Sequence, residues 1–507
     1  MLNMAVRNTG KLIREKSKSE NIRLGRLFTK KDTARLMASM IELDKSKTAY
    51  TVLDPAAGTG ILSAAVIEHI CKNAPEVKQI FLTCYEPDPT FLPSLEDNLE
   101  RIRKRCRHDY DVRLFTTVYD ENYITGVKNH YTVTFFDTVE DKFDIIIANP
   151  PSYMVEKGSE EAECAGCVTM CRISAVFVFM KIMAEHLEKG GKMAVLVPTT
   201  YATAQSLSAI RKTVSELLTI KKIHLFIGKS KNQRRAVPLK KNIIISFAEK
   251  CEENEVVITT STDLGTPEKT TVLPSLPYSF VVDEKDGSLT LPKSIEDTKI
   301  VKYIGSFPET LESLGLRLRT GLVIDSKCKK ILFDEPVPGS IPLIRLNAIK
   351  NSGISFPAPG VKNQYLMPVT PSLFQKNKNL IIIKRVPAKS DDRFLNAAIY
   401  FAAQRPSNPY ISTHNKINFI DTKDRKDELS ARFAFGLFAL LNSTIYDRYL
   451  SIISKSKQIN AKEMKSLPLP PKNLIENIGM RLMACKQYSV TACDQIVNPT
   501  LHIIEKN

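Results

Sequence analysis

The feature that most constrains the fold of this chain is a glycine-rich turn between a short apolar strand and an apolar helix. The predicted strand is 51–53, and helical apolar spacing follows over residues 61–71. The turn between them contains Asp54, Ala56, Gly58 and Gly60. Glycines at this point let the backbone approach a ligand closely, and the N-terminus of the helix favours an anion. The sequence therefore predicts an α/β fold with a ligand-binding turn after its first strand.

Strand and helix patterns alternate over residues 50–250, as a parallel α/β sheet requires. Further apolar strands are predicted at 80–85, 145–148 and 193–197. A helix is predicted at 177–187 and is expected to end at Gly190-Gly191, which fit a C-cap turn. The runs 223–227 and 243–247 are expected to form a hairpin at the edge of the sheet. This region is therefore predicted to be a Rossmann-like domain with a mixed, mainly parallel sheet.

The composition changes near residue 250, where threonine and other polar residues, together with proline and glycine, replace the regular alternation of strand and helix patterns. The second half of the chain is predicted to contain an α+β domain. The expected regions are a helical segment that contributes to the ligand site at 1–45, a catalytic domain at 46–250, a linker or irregular subdomain at 251–299, a second domain at 300–475 and a C-terminal extension at 476–507.

The charge of the chain points to its partner. There are 72 Lys and Arg residues against 55 Asp and Glu, a formal charge of +17 over 507 residues. Basic clusters recur at 101–105, 229–235 and 240–241. An excess of this size favours a polyanionic partner, most simply nucleic acid. A solvated basic surface that maintains solubility is the alternative.

Composition also argues against several other classes of protein. The hydrophobic content of 43% is that of a folded globular chain, and no apolar run approaches the roughly 18–20 residues of a membrane helix. The polar, basic start lacks the apolar core of a signal peptide, which predicts a cytoplasmic protein. Cys164, Cys167 and Cys171 have a spacing typical of metal ligands, but no fourth Cys or His lies nearby, so no metal is expected.

A second motif, Asn149-Pro150-Pro151-Ser152, follows the apolar strand 143–148. The Asn149 side-chain oxygen and the Pro150 carbonyl can accept the two N–H bonds of an exocyclic amine, while the prolines fix the backbone. These acceptors favour a pyramidal nitrogen whose lone pair faces an electrophilic methyl group. The motif therefore suggests methyl transfer to a nucleobase amine, which requires base flipping and an aromatic stacking partner. An ordinary turn at a strand end is the alternative.

Acidic residues at strand ends would complete a site for S-adenosylmethionine, whose carboxylate suits the helix N-terminus. Glu86 ends the strand 80–85 and is predicted to accept the ribose hydroxyl protons, as acids do in dinucleotide folds. Asp137 is predicted to accept from the adenine amine of this cofactor, with Phe136 packing on the adenine ring. Asn122-Tyr123 is the alternative for the adenine, and a surface turn is the competing explanation for either segment.

With these motifs in this order, the chain resembles the gamma class of adenine-N6 DNA methyltransferases. The segment 24–29, which includes Phe28 and Thr29, is similar to the N-terminal motif of that class that holds the methionine end of the cofactor. Phe136-Asp137 resembles the motif that contacts the adenine of the cofactor. The second half is similar to the modification enzymes of BsuBI/PstI-type restriction systems. The segments that carry this second resemblance are 320–325, 341–344, 384–385, 440–444, 458–461 and 467–470.

The resemblance implies a sequence-specific, S-adenosylmethionine-dependent enzyme that methylates a flipped adenine in double-stranded DNA, with a target-recognition domain at 300–475. It implies either a cognate restriction endonuclease as a partner or an orphan methylase. The residues expected to contact DNA are Lys229, Lys231, Arg234, Arg235, Lys384, Arg385 and Asn460. For Lys384 and Arg385, a solvated strand end is the alternative to contacts with phosphates or guanine edges.

The catalytic motif departs from the family pattern, because Ser152 stands where an aromatic residue is usual. We expect Tyr153, Tyr201 or Phe226 to supply the stacking ring. An RNA base, a cytosine N4 amine or a protein glutamine could accept the methyl group by similar chemistry. A DNA-binding protein that has lost catalysis is a further alternative, although Asn149 and the cofactor motifs are intact.

Overall fold

The computed structural model describes residues 1–15, 29–130, 142–164, 173–227, 242–262, 270–350, 353–385, 393–404, 407–424, 427–454, 459 and 461–502. The chain divides into two compact units, Met1–Ser294 and Ile295–Asn507.

The first unit is an α/β domain built on one large sheet. Its strands are β1 (Ala49–Asp54), β2 (Gln79–Tyr85), β3 (Arg113–Tyr119), β4 (Phe143–Ala148), β5 (Met154–Val155), β6 (Ile173–Ser174), β7 (Leu187–Pro198), β8 (Leu218–Phe226), β9 (Asn242–Glu249), β10 (Glu255–Ser261), β11 (Thr271–Val272) and β12 (Leu276–Pro277). Its α-helices are α1 (Leu2–Glu15), α2 (Lys31–Ser39), α3 (Ile61–Asn73), α4 (Leu92–Tyr110), α5 (Tyr123–His130), α6 (Glu160–Cys164), α7 (Ala175–Glu185), α8 (Thr200–Thr203), α9 (Ser208–Leu217) and α10 (Tyr278–Val281).

The strand order in this sheet is β3-β2-β1-β4-β7-β9-β8-β10-β11, and β12 pairs with β10. Strands β3, β2, β1, β4 and β7 are parallel, whereas β9 runs antiparallel between β7 and β8. The predicted mixed, mainly parallel sheet is therefore confirmed. The strand order reverses at β1, which lies between β2 and β4. In open α/β sheets, ligands bind at such a switch point, outside the carboxyl ends of the strands.

The central strands are apolar because helices cover the sheet. Ile145, Ile146 and Ile147 of β4 are each at most 1% exposed, as expected for a parallel strand that is buried on both faces. On one face, a hydrophobic cluster joins β1, β2 and β4 to helices α1, α2, α3 and α4. The N-terminal helix α1 therefore belongs to the same core as the glycine turn.

Two local predictions within the sheet are wrong. The helix predicted at 177–187 ends at Glu185, and Gly190-Gly191 lie within β7 instead of capping the helix. Close packing explains the glycine at position 191, because a Cβ atom there would lie 2.7 Å from the Glu188 carbonyl oxygen. The hairpin of β8 and β9 does not form the sheet edge, because β9 also pairs with β7 and β8 also pairs with β10.

The segment 251–299, predicted as a linker or irregular subdomain, extends the same sheet. β10 pairs in parallel with β8, and its even-numbered residues Val256 and Ile258 are almost fully buried. Threonine is polar but favours strands. The polar composition of Glu255–Ser261 therefore predicted a linker where the chain forms a strand.

The second unit is an α+β domain, as predicted. Its strands are β13 (Leu316–Thr320), β14 (Leu332–Phe333), β15 (Ile341–Ile344), β16 (Ile349–Lys350), β17 (Gly353–Ile354), β18 (Tyr365–Leu366), β19 (Gln375–Lys376), β20 (Leu380–Lys384), β21 (Ala397–Tyr400), β22 (Tyr410–Thr413) and β23 (Ile417–Thr422). Its α-helices are α11 (Ile295–Gly305), α12 (Asp325–Cys328), α13 (Ala431–Asn442), α14 (Thr444–Ile453), α15 (Ala461–Lys465), α16 (Lys472–Cys485) and α17 (Val490–Thr500). The two larger sheets have the orders β13-β23-β20-β21 and β14-β18-β15-β22-β19.

Candidate active site

The glycine turn and the Asn-Pro-Pro motif leave neighbouring parallel strands at the same edge of the sheet. β1 ends at Asp54 and β4 ends at Ala148, with Leu53 of β1 in register with Ile146 of β4. Because the strands are parallel, both following loops start at the switch point of the sheet. The fold thus brings together two motifs that are far apart in the sequence.

The conformation of the glycine turn requires glycine at two positions. Gly58 has φ +57° and Gly60 has φ +80°, in the left-handed region that side chains disfavour. A Cβ atom on Gly60 would also lie 2.9 Å from Leu95 Cδ1, whereas one on Gly58 would meet no atom within 4 Å. The turn is therefore packed against the protein at Gly60 and borders open space at Gly58.

Glu86 joins the end of β2 to this turn. Its Oε2 accepts a hydrogen bond from the Gly58 amide at 2.8 Å, and its Oε1 accepts from the Asp88 amide at 2.9 Å. The residue is 4% exposed. Two backbone amides therefore orient the carboxylate, and the predicted ribose ligand lies directly beside the predicted cofactor turn.

Asp54 is fully buried beneath the turn. Its Oδ2 accepts hydrogen bonds from the Ser63 amide at 3.1 Å and from the Ser63 hydroxyl at 2.6 Å. Burial raises the pKa of this carboxyl to about 7, although the bonds from Ser63 and the nearby Ala56 amide lower it, and the Glu86 carboxylate adds to the rise. Among the described residues, Asp54 Oδ1 has no hydrogen-bond partner. The carboxyl thus ties the strand end to the first turn of α3.

This pKa predicts a pH-dependent contribution to stability. The folded state holds a proton on Asp54 up to about pH 7, whereas the unfolded chain loses it near pH 4, so stability falls as pH rises from about 4 to about 7 and levels off above that. The Asp54→Asn variant lacks this dependence. We expect the free energy of unfolding of the variant to rise relative to wild type by about 2–3 kcal/mol between pH 5 and pH 8. Urea unfolding at both pH values measures the difference, with the exposed-site variant Glu96→Gln as control. Parallel pH profiles for wild type and Asp54→Asn would show that Asp54 titrates normally.

Asn149 contacts a second predicted site residue. Its Nδ2 donates a hydrogen bond to Thr29 Oγ1 at 3.0 Å. Thr29 lies two residues before the start of α2, and it belongs to the segment predicted to hold the methionine end of the cofactor. By engaging the amide nitrogen, Thr29 fixes the rotation of the Asn149 amide and therefore the direction of its carbonyl oxygen. The next residue, Pro150, is buried.

Tyr153 is held by a polar cluster next to the catalytic motif. Its hydroxyl donates to Glu161 Oε1 at 2.6 Å, and Asn122 Nδ2 donates both to the Tyr153 hydroxyl at 3.1 Å and to Glu161 Oε1 at 2.7 Å. Burial and the Glu161 carboxylate raise the pKa of Tyr153, so its hydroxyl stays protonated. The cluster anchors the tip of the ring two residues after Pro151.

The other two aromatic candidates are more deeply packed. Tyr201 is 2% exposed and stacks on Phe177 with ring centroids 6.0 Å apart, and Phe226 is 7% exposed beside His224. Tyr153 is half-buried and lies in the loop of the catalytic motif itself. It is therefore the best placed of the three predicted stacking residues.

The structure also adds residues that the motifs did not reveal. Asp120 follows β3, whose last residue Tyr119 pairs with Tyr85 of β2, so Asp120 lies at the same sheet edge as Glu86. Glu86 was predicted by the rule that an acidic residue at the end of a strand can bind the cofactor. This strand-end rule would also have identified Asp120 if β3 had been recognised. Glu161 carries no sequence signal of its own, because its contact with Tyr153 depends on the conformation of the intervening loop.

Several predicted residues lie outside the described part of the chain. These are Phe28, Phe136, Asp137, Lys229, Lys231, Arg234, Arg235 and Asn460. Lys384 and Arg385 lie at the end of β20 in the second unit, where Arg385 Nη1 donates to the Asn415 carbonyl at 3.4 Å. All of these assignments stay predictions. Within the described residues there is no cluster of His, Cys, Asp and Glu that could hold a metal, and none of the described helices could cross a membrane.

The strand order and the two strand-end motifs, together with comparisons with known proteins, define a DNA methyltransferase. The profile of the N-6 DNA methylase family matches residues 11–271, just over half of the chain. The chain belongs to this family, and the resemblance inferred from the sequence is confirmed.

Two characterised relatives match nearly the whole chain. The type II methyltransferase M.PstI of Providencia stuartii is 23% identical over 490 residues, which cover 95% of this chain and 94% of that protein. The type II methyltransferase M.BsuBI of Bacillus subtilis is 23% identical over 474 residues, which cover 92% and 90% of the two chains. Among solved structures, the type IIL restriction-modification enzyme MmeI in complex with DNA aligns with a TM-score of 0.45 and 11% identity, covering 100% of this chain and 74% of that one.

Proposed function

We propose that this protein is a sequence-specific adenine-N6 methyltransferase of double-stranded DNA and the modification enzyme of a restriction-modification system. The observation that carries the proposal is the hydrogen bond from Asn149 to Thr29 at the switch point of the sheet, beside the glycine turn. It orients an amide acceptor where an exocyclic amine and a methyl donor would meet. The family assignment supports DNA as the substrate, and the two type II relatives support a role beside a cognate endonuclease.

The residues around the glycine turn fit S-adenosylmethionine, which supplies an electrophilic methyl group when bound. Gly58 borders open space, and Asp54, buried beneath the turn, fixes the end of β1 to the start of α3 through Ser63. In this proposal Glu86 binds the ribose hydroxyls, and Ala56 and Gly60 complete the turn. Phe28 and Thr29 hold the methionine end.

The adenine end of the cofactor site is assigned to Phe136 and Asp137, as predicted from the sequence. Asp120 is a second candidate acceptor, because its position at the end of β3 beside Glu86 satisfies the same strand-end rule.

The proposed catalytic contribution of the Asn149 motif is positioning. The Asn149 oxygen and the Pro150 carbonyl accept the two N–H bonds of the target amine and favour a pyramidal nitrogen. Pro151 restricts the backbone that carries these acceptors. No strong base is needed, because the nitrogen loses its proton after its lone pair has reacted. Tyr153, anchored through its hydroxyl by Glu161 and Asn122, is proposed to stack on the flipped base.

Nucleoside mass spectrometry tests the reaction directly. Unmethylated DNA incubated with the protein and S-adenosylmethionine should gain N6-methyladenine, and omission of the cofactor should abolish the gain. Appearance of N4-methylcytosine instead would assign the enzyme to the alternative amine acceptor, and methylation of RNA alone would exclude DNA as the substrate.

If Glu86 binds the cofactor, replacing it should reduce the stabilisation that S-adenosylmethionine gives to the folded protein. At a hundredfold excess over Kd, a ligand stabilises its protein by about 2.7 kcal/mol, so S-adenosylmethionine should raise the melting temperature of the wild type. Glu86→Ala removes an acceptor worth about 1.5–3 kcal/mol in charged hydrogen bonds and should abolish most of that shift at the same concentration. Glu96→Ala, an exposed acid on α4, should retain it. A full shift in Glu86→Ala would remove Glu86 from the cofactor site.

A further inference from the structure

The glycine turn receives a contact from outside the parallel sheet. Helix α1 places Thr9 against Thr59, the residue between Gly58 and Gly60, and the two side-chain hydroxyl oxygens lie 2.5 Å apart. Both threonines are 2% exposed. A hydroxyl that loses its partner at such depth is costly, so this contact constrains the turn strongly.

The direction of this hydrogen bond follows from the other bond of Thr9. The Thr9 hydroxyl lies 2.8 Å from the Ala5 carbonyl oxygen, which can only accept. Because a hydroxyl carries one proton, Thr9 donates to Ala5, and the Thr59 hydroxyl therefore donates to Thr9. Thr9 thus provides the acceptor that fixes the Thr59 side chain.

Helix α4 holds the backbone of the same residue. Asn98 Nδ2 donates to the Thr59 carbonyl oxygen at 2.8 Å, and Asn98 is fully buried. Asn8 of α1 in turn donates to Asn98 Oδ1 at 2.8 Å. Two helices therefore hold Thr59, one through its side chain and one through its carbonyl group.

These contacts matter because the glycines alone leave the backbone conformation of the turn weakly restricted. Glycine restricts the backbone less than any other residue, and Thr59 is flanked by Gly58 and Gly60. We propose that Thr9 is a positioning residue that, together with Asn98, preorganises the glycine turn and so sets the affinity for S-adenosylmethionine. Preorganisation raises affinity by reducing the cost of ordering on binding. This inference rests on the proposed function of the turn.

Three variants of α1 separate positioning from folding. Thr9→Val keeps the shape of the side chain but removes the acceptor, Thr9→Ser keeps the hydroxyl, and Asn3→Ala changes an exposed residue of the same helix. The Kd for S-adenosylmethionine is measured by calorimetry on the full chain, and kcat is measured at saturating cofactor and DNA. We expect Thr9→Val to raise the Kd about tenfold, equivalent to about 1.4 kcal/mol, with kcat largely unchanged. Thr9→Ser and Asn3→Ala should match the wild type.

An unchanged Kd in Thr9→Val, or an equal loss of affinity in Thr9→Ser, would overturn the positioning role. A fall in kcat without a change in Kd would also overturn it. If Thr9→Val does not fold, Thr9→Ala replaces it in the same comparison. Wild-type protein that fails to bind S-adenosylmethionine would contradict the proposed function itself, and this result is distinct from an effect confined to the Thr9 variants.

Discussion

Replacing Asn149 with alanine is expected to lower the rate of methyl transfer to DNA by about 10²–10³-fold, the usual cost of removing one preorganised polar group from a reacting centre. The loss should fall on kcat, because Asn149 acts on the amine as it becomes a nucleophile. Cofactor binding should persist, since the glycine turn and Glu86 are unchanged. The measurement is transfer of a labelled methyl group from S-adenosylmethionine to DNA, alongside DNA affinity by electrophoretic shift.

The matched control is Asn73→Ala, which truncates an exposed asparagine at the end of α3 and should leave turnover unchanged. Near-normal turnover in Asn149→Ala would rule out the mechanism proposed for the Asn-Pro-Pro motif. Loss of DNA binding together with turnover would instead make Asn149 a DNA contact.

The largest expected effect on stability comes from Gly436→Ala in the second unit. Helices α13 and α16 pack closely at this glycine, where a Cβ atom would lie 1.8 Å from the Ile475 carbonyl oxygen. The contact is reciprocal, because a Cβ atom on Gly479 would lie 1.8 Å from the Arg432 carbonyl oxygen. Backbone atoms cannot move aside as a side chain can, so the helices must separate. We expect destabilisation of about 3 kcal/mol or more, at or above the upper end for overpacking.

Chemical denaturation followed by circular dichroism measures this effect. Gly305→Ala is the control, because Gly305 is an exposed residue at the end of helix α11 with no atom within 4 Å of the added Cβ. It should stabilise the protein by up to about 1 kcal/mol through helix propensity. Equal unfolding midpoints for Gly436→Ala and wild type would show that the two helices are not closely packed in solution.

The strands that the sequence predicted correctly are those composed mainly of apolar residues. β1, β2 and β4 are apolar runs, so periodicity and the strand-end rule located both Glu86 and Asn149. β3 escaped prediction because Arg113, Thr116 and Thr117 interrupt its apolar residues. β10 escaped prediction because its threonines, in a polar segment, indicated a linker.

The missed part of the site depends on contacts between distant segments. Thr9 meets Thr59, and Tyr153 meets Glu161, because helices and loops pack together in three dimensions. Single hydroxyls and carboxylates of this kind leave no periodic or motif signal in the sequence. By contrast, Thr29 was predicted through a family resemblance, and its contact with Asn149 supplies a physical reason for that prediction.

The most direct test of the central claim is sequencing that detects modified bases in DNA from methylation-deficient cells that express the protein. We expect N6-methyladenine at one short, recurring sequence with the wild type, and at most a small fraction of those sites methylated with Asn149→Ala. Absence of N6-methyladenine with the wild type, or methylation at cytosine, would contradict the central claim.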